Sequence, residues 1–91
     1  MKLVITVLGV DRVGIIAGVS GILASNNVNI LSISQTILDG IFNMVMMCES
    51  EAEGTQSLVA LQNELKALGE ELGVQIQAQH ADIFLSMHRI G

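Results

Sequence analysis

The most constraining feature of the chain is the passage from Val7 to Leu23, where an apolar strand runs through a short polar turn straight into an apolar helix. Leu3, Ile5 and Val7 alternate with Val4, Thr6 and Leu8, so the strand is apolar on both faces, as a strand inside a sheet is. Ile15, Ile16, Val19, Ile22 and Leu23 then share one helical stripe, which predicts a helix from about Val13 to Ser25. A helix start leaves backbone N–H groups without intrahelical partners at the positive end of the helix dipole. Such a turn can hold an anionic group. On general grounds a plain helix start capped by the Asp11 carboxylate is the commoner meaning of such a turn. Gly9 and Gly14 read as places where other atoms approach the backbone. Gly18 and Gly21, costly inside a helix, read the same way toward a second backbone or a ligand.

From Val13 to Leu38 there is no charged residue. Asn26, Asn27, Asn29, Ser32, Ser34 and Gln35 interrupt the run before the ~20 apolar residues of a membrane helix accumulate. A chain of 91 residues makes one domain, and a domain of that size hides only a modest core. With 51% of the residues hydrophobic, the surplus apolar surface belongs at an interface, so a homodimer is expected. A net charge of −5 and the absence of Tyr and Trp argue against nucleic acid as a partner. No secretory block precedes the first strand, and the single Cys48 has no disulfide partner within the chain. A cytoplasmic location is expected on these grounds.

The rest of the chain alternates in the same plain way. Val28 to Leu38 is the second strand, with Val28 and Ile30 on one face and Leu31, Ile33 and Ile37 on the other. That change of parity requires either a β-bulge or burial on both faces. Asp39-Gly40 signals a hairpin turn, and the third strand, Ile41 to Cys48, sets Phe42, Met44, Met46 and Cys48 on one side. The methionines read as adaptable core filler. After a solvated acidic stretch, a helix opening near Thr55 carries Leu58, Leu61, Leu65, Leu68 and Leu72 in one stripe and ends at Gly73. Val74 to His80 alternates as a half-buried strand, and Asp82 to Arg89 is a short helix with Ile83, Phe84, Met87 and Ile90 spaced for one face. The order predicts an α+β, ferredoxin-like βαββαβ sandwich: a four-stranded antiparallel sheet, two helices on one face, and a short C-terminal helix.

The octet Gly9-Val10-Asp11-Arg12-Val13-Gly14-Ile15-Ile16, followed by Asn27-Val28-Asn29-Ile30, resembles the signature of the ACT domain. The resemblance covers Met1 to about Gln79. It is closest to small bacterial proteins made of one such domain and a short C-terminal helix, whose Ser32-Ile33-Ser34-Gln35-Thr36 strand and Met87-His88-Arg89-Ile90 tail are similar. It implies a regulatory module that binds a small molecule, often an amino acid, at the junction of two domains. It also implies a regulated protein as a possible further partner. The ligand-binding positions it carries over are Asp11, Arg12, Val13, Gly14, Ile15 and Asn29. The position of Asp11 is often Asn in the family, that of Gly9 can be a ligand-contacting His, and that of Val13 is Pro in many members. A carboxylate at Asp11 can meet an ammonium group while the helix start receives a carboxylate.

No catalytic constellation and no cofactor is read from the residues. Cys48 lies inside a strand without a cationic neighbour in sequence, so it reads as an inert buried thiol. The spacing of His80, Asp82 and His88 matches no metal-ligand pattern. Arg12 is in the region where a small acylphosphatase-like enzyme of this architecture would cradle phosphate, but Asp11 beside it would repel that group. An interaction module without a ligand is the other alternative to a sensor.

Overall fold

The computed structural model describes residues 1–52 and 54–87. Its elements follow the expected order: β1 (Lys2–Val10), α1 (Ile15–Ser25), β2 (Val28–Leu38), β3 (Ile41–Ser50), α2 (Thr55–Leu72), β4 (Val74–His80) and α3 (Ala81–Met87). The strands form one antiparallel sheet in the order β2-β3-β1-β4, so β1 is central and β2 and β4 are the edges.

Strand alternation separates two faces. Leu3, Ile5 and Val7 of β1, Phe42, Met44, Met46 and Cys48 of β3, and Val74, Ile76 and Ala78 of β4 meet Ile15, Val19 and Leu23 of α1 and Leu61 and Leu65 of α2 in one core. This is the inner face, and the methionines are its filler. The parity change in β2 is a bulge between Ile30 and Ser32. The extra residue, Leu31, brings Ile33 and Ile37 into register with Met46 and Phe42, on the same inner face as Val28 and Ile30. That half of β2 nevertheless projects beyond the helices, and Leu31, Ile33 and Ile37 are all exposed. Asp39 and Gly40 both have positive φ, 52° and 78°, as a two-residue hairpin turn of the expected kind requires.

The short third helix packs on the opposite, outer face. It contacts β1 and β4, and Val4, an outer-face residue apart from the main core, is only 1% exposed beneath it. The helix is described as far as Met87, and the expected continuation through His88, Arg89 and Ile90 lies outside the described residues.

Several expectations need correction. The first helix begins at Ile15, two residues late, because Gly14 adopts a left-handed conformation (φ 99°) that no helix interior allows. No side chain caps it, so Asp11 is not the cap. Gly14 is there for its backbone angle, since nothing lies within 4 Å of a β-carbon built on it. Gly9 is the true close approach, against Val74 of β4, and Gly18 faces the Leu68 side chain at 3.1 Å rather than a backbone or ligand. Gly21 faces open space. The buried Gly69 of α2, not singled out by periodicity, lets the helix descend onto the Val74 carbonyl.

Candidate functional site

The β1–α1 turn is held from two sides. The Asp11 N–H donates to the carbonyl of Gly40 in the β2–β3 turn at 2.8 Å. The contact exists because β1 and β3 are paired to their ends, Val10 opposite Ile41. From the other side, Arg12 Nη1 donates to the carbonyl of Leu72, the last residue of α2, at 3.2 Å. Helix α2 carries no basic residue in its own last turn, so Arg12 supplies from elsewhere the positive charge that suits a helix C-terminus. Both partners are backbone carbonyls distant in sequence. The Asp39-Gly40 signal was legible, but its closeness to Asp11 was not.

Between these anchors the turn is open. Val13 is 96% exposed, and Asp11, Arg12 and Gly14 are exposed as well. The Gly14 carbonyl accepts the first helical bond, from Gly18 N–H at 2.9 Å. With no side-chain cap, the first-turn N–H groups of α1 face this open turn. Ile15 contributes only its backbone there, because its side chain is 1% exposed and belongs to the core.

Asn29 stands apart from the other candidates. It is exposed on β2 opposite Glu49, which itself pairs with Lys2, whereas Asp11 follows Val10 at the far end of β1. From the Lys2–Glu49 pair to the Val10–Ile41 pair is eight register steps, roughly 26 Å at about 3.3 Å per residue. One protomer therefore brings Asp11, Arg12, Val13 and Gly14 together and leaves its own Asn29 at the other end of the sheet.

Elsewhere, Cys48 is fully buried and burial pushes its thiol up to about 11. His80 Nδ1 accepts the Asp82 N–H at 3.2 Å and lies 3.7 Å from the Asp82 carboxylate. Among the described residues, no group of three or more His, Cys, Asp or Glu side chains is placed to hold a metal ion, and no helix is long and apolar enough to cross a membrane.

Residues 1–79 match the family model described as "ACT domain". The chain is 51% identical over 89 residues to a UPF0237 protein of Methanocaldococcus jannaschii, covering 98% of each chain. It is 52% identical over 90 residues to a UPF0237 protein of Clostridium perfringens, covering 99% of this chain and all of that one. Among solved structures, an ACT domain protein from Streptococcus pneumoniae superposes with a TM-score of 0.80 at 45% identity, covering 92% of this chain and 93% of the other.

Proposed function

This chain belongs to the ACT domain family, and from that premise we propose that it is a regulatory module without catalytic activity, binding an amino acid or related small acid as a homodimer. The observation that carries this reading is the separation of Asn29 from the β1–α1 turn within one chain, together with the free β2 edge. A second copy adding antiparallel to β2 through a two-fold axis near Ile33 brings the partner's Asn29 to the Thr36–Leu38 end of this strand. That is the end of the sheet from which Asp11 projects. The same pairing covers Leu31, Ile33 and Ile37 and removes the open edge.

In the junction so formed, the uncapped first turn of α1 receives the ligand carboxylate. Asp11 takes the ammonium group, and the partner's Asn29 offers both a donor and an acceptor. Val13, exposed and apolar, favours a small or apolar side chain. Arg12 keeps the turn against α2 and is not needed for the carboxylate. Its engagement with Leu72 and the raised Cys48 thiol support a binding role over an enzymatic one.

A thermal-shift screen against the amino acids tests the reading, because a ligand bound only by the folded protein raises its apparent stability. A saturable shift by one amino acid is the expected result. No shift by any of them at millimolar concentration would replace the sensor with an interaction module.

A further inference from the structure

We propose that the free edge of β4 is a docking groove for an extended peptide segment of a partner protein, which adds to the sheet as a further strand and turns first an acidic and then a basic side chain toward α2. The sheet has two edges: β2, which a second copy covers in the proposed dimer, and β4. A bare edge leaves a row of backbone N–H and C=O groups unpaired, and an extended peptide is the structure that pairs with them. Gln62 shows which groups those are. Its Nε2 donates to the Ala78 carbonyl at 2.7 Å, so that carbonyl points away from β1. Antiparallel pairing alternates from residue to residue, so the backbone groups of Val74 and Ile76 point outward too, and those of Gln75, Gln77 and Gln79 face β1.

This edge lies in a groove of about 460 Å³, with Gln62, Lys66 and Glu70 of α2 along one wall and Gln75, Gln77 and Gln79 of β4 along the other. At one end Gly69 brings α2 against the Val74 carbonyl, and at the other Gln62 bridges the helix to Ala78. Helix and strand therefore run antiparallel along the groove, and their periods match. Gln62, Lys66 and Glu70 follow one another at four-residue steps of about 6 Å. Ala78, Ile76 and Val74 follow at two-residue steps of about 6.6 Å. Lys66 thus stands level with Ile76, and Glu70 with Val74. An added strand has the same two-residue period, so its alternate side chains meet Gln62, Lys66 and Glu70 in turn. The side chains between them lie along the glutamines of β4, and the new backbone takes over the Ala78 carbonyl from Gln62.

Charge selects the occupant. Lys66 is the only cation on α2, and among the described residues neither it nor Glu70 forms an ion pair. With Lys66 preceding Glu70, the two have the less favourable order for pairing along a helix, and both are left for a partner. A strand antiparallel to β4 meets Gln62 first, so its inward side chains read neutral, acidic, basic. Asp82, exposed beside His80 beyond the Ala78 end, also disfavours an acidic residue at the first of these positions. The other acidic residues of α2 stand off this wall: Glu64 bonds to Asn26 of α1, and Glu71 lies on a different row of the helix. A second copy of the chain does not fit. A two-fold axis through Ile76 would set Lys66 against its own copy, with like charges facing across the new pair of strands.

Fluorescence anisotropy of a labelled peptide, Thr-Val-Thr-Glu-Thr-Lys-Thr, titrated with the full chain tests this. Saturable binding by the wild type is expected, weakened at least tenfold by Lys66→Glu with an unchanged circular dichroism spectrum, since Lys66 is exposed. The peptide with its Glu and Lys exchanged is expected to bind the double variant Lys66→Glu, Glu70→Lys more tightly than it binds the wild type. N-methylation of the peptide separates strand addition from charge attraction alone. Placed on its Glu, opposite Ile76, the methyl group removes a hydrogen bond to β4 and should abolish binding. Placed on the Thr that follows, whose N–H points away from β4, it should leave binding intact. No binding by the wild type at millimolar concentration overturns the proposal. So does an affinity that either Lys66→Glu or methylation of the peptide Glu leaves unchanged.

Discussion

Val74 fills the space a side chain on Gly9 would need: its Cγ1 lies 2.7 Å, and its Cα 2.9 Å, from the place of a β-carbon on Gly9. The two residues are directly paired between β1 and β4. The space beside position 9 is therefore taken up by packing against β4.

Gly9→Ala is accordingly expected to destabilise the domain by about 1–3 kcal/mol, the usual cost of overpacking. Adding Val74→Ala should not restore the melting temperature, because the Cα of Val74 is itself too close. Full restoration by the double variant would show that only the Val74 side chain is in the way.

The two helical glycines of α1 should respond in opposite directions. Gly21→Ala, into open space, is expected to raise stability by up to about 1 kcal/mol through helix propensity. Gly18→Leu drives into Leu68 and is expected to lower it by about 1–3 kcal/mol. Thermal melts of the two variants check this, and a loss of stability in Gly21→Ala would place another chain against that face.

Arg12→Ala removes a cation from the C-terminal end of α2, an exposed interaction of about 0.3–1 kcal/mol. The expected signature is faster amide exchange around Leu72 and Gly73, with a small drop in melting temperature that added salt diminishes. Arg12→Lys should retain part of the effect. An exchange pattern altered only in the turn would dissociate Arg12 from α2.

The Cys48 thiol should be silent toward thiol reagents in the folded protein and react fully on unfolding. Its folded value of about 11 lies above the unfolded value, so its contribution to stability is complete below the unfolded pKa. It is lost as pH rises from there through the folded value. Cys48→Ala should flatten the alkaline limb of the stability–pH curve, and an unchanged limb would assign that limb to other groups.

Once a ligand is identified, Asn29→Ala should weaken its binding by one to two orders of magnitude, the loss of about 1.5–3 kcal/mol from a hydrogen bond to a charged group. Circular dichroism should be unchanged, since Asn29 is exposed. Calorimetry on Asn29→Ala and Asp11→Asn checks the two contacts, and an unchanged affinity in Asn29→Ala would locate the ligand elsewhere.

Much of this architecture can be read from residues that are neighbours in sequence. Alternation in β1, β3 and β4, the leucine stripe of α2 and the Asp39-Gly40 turn each report which face is buried, because strand and helix periods are local properties of the backbone. The family is legible in the sequence as well, where residues 1–79 match its model. The parity change in β2 announced its bulge, but only pairing with β3 decided that Leu31 is the extra residue and that Ile33 and Ile37 share the inner face. Tertiary structure alone decided that Val74 occupies the room at Gly9, that Gly18 meets Leu68 while Gly21 meets nothing, and that Asp11 and Arg12 are tied to Gly40 and Leu72. It also decided that Asn29 and the turn lie at opposite ends of one sheet, and that α3 rests on the outer face. Each of those facts is a distance between residues far apart in the chain, set by which strands pair and in what register. Periodicity within a segment holds no information about that choice.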